Sequence, residues 1–123
     1  RKENKPQKRY YLDGRTSCYE VCRQSNGRRK RKSCNSAGLT WDDIALVVPH
    51  QANYRIVESA VKRMGITDEK VFLNLEKYGN TSASCIPVAL TEAVQQGRIK
   101  KGDKVVLVGF GGGLTWGAAL IEW

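Results

Sequence analysis

The feature that most constrains the fold of this chain is an alternation of short apolar runs with segments of helical periodicity. The apolar runs lie at residues 44–49, 70–75 and 104–110, and the helical segments lie at 53–64 and from a turn at 78–82 to about Gln96. Short runs rich in β-branched residues are typical of buried strands. A further run at 114–123 follows a turn at Gly111-Gly112-Gly113 and predicts a strand antiparallel to its predecessor. The predicted class is α/β, with a mixed sheet in the order β-α-β-α-β-β.

Both helical segments have local start and stop signals. Asn53 is a suitable N-cap for the first helix, and Gly65 is a suitable end. The predicted apolar faces are Ile56, Val57, Ala60, Val61 and Met64 on the first helix, and Ala83, Ile86, Ala89, Leu90, Ala93 and Val94 on the second. These faces should pack on the sheet.

The charge divides the chain into two parts. Residues 1–36 contain 12 Lys and Arg against 3 Asp and Glu, whereas residues 37–123 contain nine of each, so the net charge of +9 belongs to the first part. Residues 1–36 also contain one leucine, one valine and no isoleucine or phenylalanine, too little to bury a core. We therefore predict a poorly structured basic segment at 1–36 and a folded domain at 37–123.

Other classes of protein are disfavoured. Cys18 and Cys22 have the spacing of half a zinc site, but no second pair or nearby histidine completes it, so no metal is predicted. No run approaches the roughly 18 apolar residues of a membrane span, and no signal peptide is evident. The expectation is a cytoplasmic protein with reduced thiols and no membrane partner.

Three polar or glycine-rich stretches follow predicted strand ends, where chemistry gathers in α/β sheets. His50 follows the first strand, Asn80 follows the second, and residues 111–113 follow the third. Taken singly, each has a structural explanation: a hydrogen-bonded histidine, a capping asparagine and a hairpin. Their shared placement favours one common site.

The residues in these stretches carry a family resemblance. PHQAN at 49–53, YGNTSASCIP at 78–87 and FGGGLTWG at 110–117 resemble the C-terminal half of β-ketoacyl-acyl-carrier-protein synthase III, the initiating condensing enzyme of bacterial fatty-acid synthesis. The resemblance covers residues 37–123 and implies the C-terminal half of a thiolase-like fold. Related elongation synthases use two histidines and thiolases pair histidine with cysteine, so Asn80 favours the synthase III branch.

The resemblance implies a role for each part of the site. His50 and Asn80 are the implied catalytic pair, donating hydrogen bonds to the enolate formed when malonyl-acyl-carrier protein loses carbon dioxide. The loop of Phe110, Gly111 and Gly112 is implied to line the active site, with the Gly112 N–H in an oxyanion hole.

Further residues are implied to bind the substrates. Ala52, Asn53 and Ile56 would line the site for the pantetheine arm of coenzyme A. Arg55, Lys62 and Arg63 would dock the acidic acyl-carrier protein, although a solvated helix face is the ordinary explanation for such a cluster. The implied partners are a coenzyme A thioester, acyl-carrier protein and a second copy in a homodimer. No cofactor is implied beyond these substrates.

The family's nucleophile is a cysteine in the N-terminal half, followed by an alanine- and glycine-rich stretch. No such stretch occurs here, and Cys85 is expected to be a buried packing residue. The resemblance is therefore to an acyltransferase that lacks its catalytic cysteine. We expect these residues alone, as a fragment of that enzyme, not to catalyse condensation.

By the resemblance, residues 17–36 should form an amphipathic helix that leads into residue 37, but the family's sequence pattern for that helix is absent. Read one nucleotide later, the degenerate codons of residues 20–27 permit Lys, Phe, Ala, Val, Arg, a variable residue and Met, which is the family's helical pattern. We hypothesise that residues 17–36 are out-of-frame translation. The alternative is a non-enzymatic relic or basic protein that binds nucleic acid through residues 28–32, although nucleic acid is not the expected partner because residues 37–123 are uncharged overall.

Overall fold

A computed structural model describes residues 9–11, 39–112 and 115–123 of the chain. Its strands are β1 (Arg9–Tyr11), β2 (Leu46–Pro49), β3 (Lys104–Gly111) and β4 (Thr115–Glu122), and its helices are α1 (Tyr54–Met64), α2 (Leu75–Tyr78) and α3 (Cys85–Gln95). The sheet has the order β1-β4-β3-β2. β2 runs parallel to β3, while β4 is antiparallel to both β3 and β1. The mixed α/β architecture is confirmed.

Strand β1 was not predicted from the sequence. Its three residues lie within the basic segment and pair with β4, with Tyr10 opposite Leu120. Such a short edge strand depends on its partner for its hydrogen bonds, so its own composition gives a weak signal. The rest of the basic segment, including the cysteine pair and residues 28–32, lies outside the described residues.

The strand predicted at 70–75 is shorter than expected. Only Val71 pairs with the described sheet, through one parallel bridge to Val47 within β2. The preceding 3-10 turn, Asp68–Lys70, and the start of α2 at Leu75 leave little room for a ladder. Beyond the bridge, the Gln51 side chain donates to the Phe72 carbonyl and accepts from the Asn74 N–H, as a neighbouring strand would otherwise do.

The core forms on both faces of the sheet. On one face α3 places Ala89 and Ala93, both fully buried, against Leu46, Val48 and Val105. On the other face the buried cluster is Ile44, Val47, Val106, Val108 and Leu120. Successive residues of a strand point to opposite faces, so a strand covered on both sides is apolar throughout. This explains the unbroken burial of β2.

Helix α1 packs through Val57 and Val61, which form a third cluster with Val71. Two residues assigned to apolar faces from the sequence are exposed. Ile56 is 54 % exposed, and Ala83 is exposed in the turn before α3. The 100° step between successive helix positions carries Ile56 away from the Val57–Val61 stripe, and Ala83 lies in a 3-10 turn, Ser82–Ser84, outside the α-helix.

The predicted caps of α1 are confirmed. The side chain of Asn53 accepts a hydrogen bond from the Arg55 N–H, and Gly65 ends the helix with φ +69°. Positive φ is readily adopted only by glycine, which explains this stop. Among the residues described, no helix is long and apolar enough to cross a membrane.

Candidate functional site

His50 lies directly after the carboxyl end of β2 and is held there by its backbone and its ring. Its N–H donates to the Val108 carbonyl at 2.6 Å, which continues the parallel pairing with β3 by one residue. Its ring meets the Phe110 ring edge-on, with centroids 5.2 Å apart and planes at 76°. The ends of β2 and β3 therefore lie side by side here, which brings Phe110 to His50.

The His50 ring has a second neighbour that the sequence did not reveal. Nδ1 of His50 lies 2.7 Å from Sγ of Cys85, the first residue of α3. The same sulfur accepts a hydrogen bond from the Gln51 backbone N–H at 3.3 Å. Cys85 is buried, as expected, but it contacts the candidate catalytic histidine as well as packing in the core. No local signal links residues 35 positions apart.

Asn80 lies in the exposed loop between α2 and α3. Its Oδ1 accepts a hydrogen bond from the Ser82 N–H at 3.0 Å, so the carbonyl end of the amide is occupied and the NH₂ end is its remaining donor. Ser82 has φ +55°, an uncommon conformation for a residue with a side chain. A backbone held in this way is typical of functional loops. The loop continues to Cys85, which contacts His50.

The predicted glycine loop begins as β3 ends. Phe110 is half-buried against His50, while Gly111 and Gly112 are exposed. The Thr115 hydroxyl donates to the Gly112 carbonyl at 2.9 Å. Gly113 and Leu114 lie outside the described residues.

Gln51, the residue after His50, holds this turn through hydrogen bonds of its buried side chain. Its side chain is 1 % exposed and satisfies both ends of its amide. Nε2 donates to the carbonyls of Pro49 and Phe72 at 2.9 and 3.2 Å, and Oε1 accepts from the Asn74 N–H at 3.1 Å. Buried polar groups of this kind must be paired, so Gln51 fixes the turn to the neighbouring segment. Its place beside His50 in a polar motif was the available sequence signal.

This support extends to α3. The Asn74 amide donates to one oxygen of Glu92 at 2.8 Å, and the Lys77 ammonium pairs with the other oxygen at 2.8 Å. The Lys77 ammonium and then the Asn74 amide hold the pKa of the Glu92 carboxyl below its ordinary value. The same groups line a cavity of about 330 Å³ that includes Arg98 but neither His50 nor Asn80. We interpret this cavity as part of the structural network.

The residues implied to bind coenzyme A and acyl-carrier protein lie on one segment. Ala52 is half-buried, whereas Asn53 and Ile56 are exposed at the start of α1, although the Asn53 side chain is also engaged as the N-cap. The basic residues implied to dock acyl-carrier protein, Arg55, Lys62 and Arg63, are all exposed on α1. The Lys62 ammonium pairs with Glu58 at 2.7 Å, which reduces its part in any positive surface.

A family profile described as "3-Oxoacyl-[acyl-carrier-protein (ACP)] synthase III C terminal" matches residues 34–123. A beta-ketoacyl-[acyl-carrier-protein] synthase III of Roseiflexus sp. (strain RS-1) is 50 % identical over 92 % of this chain and 34 % of its own length. The protein of the same name from Symbiobacterium thermophilum is 62 % identical over 71 % of this chain and 26 % of its own length. The chain thus spans about a third or less of the length of these curated relatives.

Solved structures agree with this relationship. The synthase III of Thermus thermophilus superposes with a TM-score of 0.73 at 49 % identity, over 92 % of this chain and 35 % of that one. The synthase III of Aquifex aeolicus superposes with a TM-score of 0.76 at 34 % identity, over 100 % of this chain and 46 % of that one. The architecture is thus the C-terminal half of a thiolase-like fold. Profile, relatives and fold together show that this chain belongs to the C-terminal family of 3-oxoacyl-acyl-carrier-protein synthase III.

Proposed function

We propose that His50 and Asn80 form the decarboxylating half of a β-ketoacyl-acyl-carrier-protein synthase III active site. The observation that supports this most strongly is the placement of the His50 ring, held at the strand end by Phe110 and Cys85. A ring fixed on two sides is preorganised to donate from its remaining nitrogen. The Asn80 amide, whose oxygen accepts from the Ser82 N–H, keeps its NH₂ group available to donate.

In the proposed reaction, the bond between the malonyl carboxylate and its α-carbon breaks and carbon dioxide leaves. The electron pair stays on the substrate as an enolate, whose charge lies mainly on the thioester oxygen. The His50 and Asn80 donors stabilise that oxygen, and neither has to transfer a proton. The enolate carbon then attacks the carbonyl of an acyl-cysteine, forming the new carbon–carbon bond and releasing the cysteine thiolate. Neutral preorganised donors suit this developing charge.

The acyl-transfer half belongs to a different part of the fold. The cysteine nucleophile of the resemblance precedes an alanine- and glycine-rich stretch, which these 123 residues do not contain. We therefore propose that they do not condense substrates by themselves. In a complete site, Gly112 completes the oxyanion hole and the α1 segment meets coenzyme A and acyl-carrier protein. We further propose that the complete enzyme works in the cytoplasm as a homodimer.

A chimaera tests the proposal. Residues 39–123 replace the matching C-terminal part of the Thermus thermophilus synthase III, and release of carbon dioxide from malonyl-acyl-carrier protein is measured. His50→Ala and Asn80→Ala should each lower the rate by about 100-fold, as for loss of one oxyanion donor. Lys101→Ala, a control at an exposed position in the turn before β3, should retain full rate. An active chimaera that tolerates both substitutions would refute the proposal.

A further inference from the structure

The contact between Cys85 and His50 has a consequence for the hydrogen on the imidazole. Cys85 is 3 % exposed, and its sulfur lies between two nitrogen atoms, Nδ1 of His50 at 2.7 Å and the backbone nitrogen of Gln51 at 3.3 Å. The backbone N–H can only donate, so the sulfur is its acceptor. Among the described residues, the single hydrogen of a neutral thiol then has one partner within reach, which is Nδ1.

We propose that Cys85 is a positioning residue that selects the tautomer of His50. The thiol donates to Nδ1, so the neutral imidazole carries its hydrogen on Nε2. The opposite tautomer would direct an Nδ1 hydrogen at a sulfur that already accepts from Gln51, and would leave the thiol hydrogen without a partner among the described residues. An unsatisfied buried donor is unfavourable, so the first arrangement is the more stable one.

This selection matters because of the proposed function, on which its catalytic significance rests. The enolate oxygen needs a hydrogen-bond donor, and Nε2 is the ring nitrogen that has no partner in the described part of the chain. Phe110 packs against the ring and opposes a flip that would exchange the two nitrogens. Cys85 therefore prepares His50 as a donor without touching the substrate. The outer partner of a catalytic histidine commonly fixes its tautomer in this way.

The chain offers a direct spectroscopic test because His50 is its only histidine. The full chain is labelled with ¹⁵N-histidine, and the hydrogen on each of the two ring nitrogens is observed by NMR near neutral pH. Wild type should show the hydrogen on Nε2 and a hydrogen-bonded Nδ1. Cys85→Ala should lower the ratio of the two tautomers by about tenfold, the effect of one net hydrogen bond, and move Nδ1 to the signal of an unbonded nitrogen.

Two further variants separate the thiol from general effects on α3. Cys85→Ser keeps a donor at the same position and should preserve the wild-type ratio. Thr91→Ala removes a hydroxyl on the exposed side of the same helix, where it donates to the Pro87 carbonyl, and should also match wild type. Hydrogen on Nδ1 in wild type would overturn the proposal, as would an unchanged ratio in Cys85→Ala or the same shift in Thr91→Ala.

The NMR result does not depend on activity. If the chimaera tolerated His50→Ala while the tautomer followed Cys85 as expected, the proposed function would fail and the positioning role would stand. If His50 proved essential but its hydrogen lay on Nδ1, the positioning role would fail alone.

Discussion

The Oε1 atom of Gln51 accepts a hydrogen bond from the Asn74 backbone N–H at 3.1 Å, while its Nε2 donates to the Phe72 carbonyl. One buried side chain thus pairs with the backbone of a segment that would otherwise need a neighbouring strand. Because Gln51 follows His50 directly, the same side chain ties the candidate site to the scaffold.

Gln51→Leu should therefore be strongly destabilising. The leucine has a similar volume but leaves the Asn74 N–H and the Phe72 carbonyl buried without partners. At about 1–3 kcal/mol for each such group, the free energy of unfolding should fall by roughly 3 kcal/mol. Denaturant titration measures it. Gln95→Ala, an exposed control on α3, should change it by less than about 0.5 kcal/mol. Equal stability of the two variants would contradict this account.

Gly65 allows a second, independent prediction. Its φ is +69°, and an added Cβ would meet no atom within 4 Å, so any loss of stability is conformational and not steric. Gly65→Ala should lower the free energy of unfolding by about 1 kcal/mol, and Gly65→Asn by less, since asparagine tolerates the left-handed region. Thermal unfolding of the pair is the measurement. An alanine variant as stable as wild type would show that α1 does not end in this conformation.

Glu92 predicts a pH dependence of stability. Its pKa is lowered in the folded state, first by the Lys77 ammonium and then by the Asn74 amide. Above the ordinary carboxyl value of 4.5 the folded protein has the full stabilising contribution, which is lost as the pH falls through the lowered folded pKa. Glu92→Gln should therefore show a smaller fall in melting temperature on acidification. Glu76→Gln, at a neighbouring exposed carboxyl, is the matched control. If the melting temperatures of Glu92→Gln and wild type fell in parallel on acidification, this account would be contradicted.

If α1 docks acyl-carrier protein, as proposed, its basic residues should contribute unequally to that binding. The Lys62 ammonium is already paired with Glu58, and this hydrogen bond raises its pKa, whereas no ion pair is found for Arg63 among the described residues. In the chimaera, Arg63→Ala should weaken binding more than Lys62→Ala, and added salt should reduce the difference. Calorimetric titration at two salt concentrations provides the comparison. An equal loss from both variants would mean that the Glu58 pair does not neutralise Lys62.

The out-of-frame hypothesis for residues 17–36 makes a prediction at the DNA level. The encoding DNA should carry one single-nucleotide insertion and one single-nucleotide deletion, one near codon 16 and the other near codon 36, which together shift and restore the reading frame. Correcting both should reveal codons for an amphipathic helix in place of a segment rich in arginine and cysteine. Resequencing this region of the gene is the measurement. A DNA sequence whose shifted frame over codons 17–36 does not encode the helical pattern would rule the hypothesis out.

Local signals in the sequence were enough to predict much of the fold. The strands near 44–49, 104–110 and 114–123 and the helix α1 with its caps at Asn53 and Gly65 were all predicted from patterns of a few residues. Such patterns report side-chain periodicity and backbone preference, which depend on near neighbours. The family motifs likewise gave the family, which the comparisons confirm.

Tertiary structure decided what depends on distant neighbours. β1 exists because β4 offers it hydrogen bonds. The strand predicted at 70–75 is reduced to a bridge between a 3-10 turn and α2, and Gln51 provides further hydrogen bonds to its backbone. The contact of Cys85 with His50 arises because α3 packs its first turn against the end of β2. Sequence by itself thus determined most of the elements and the family. Only folding brought together side chains far apart in the chain, because their contacts are set by packing and not by local preference.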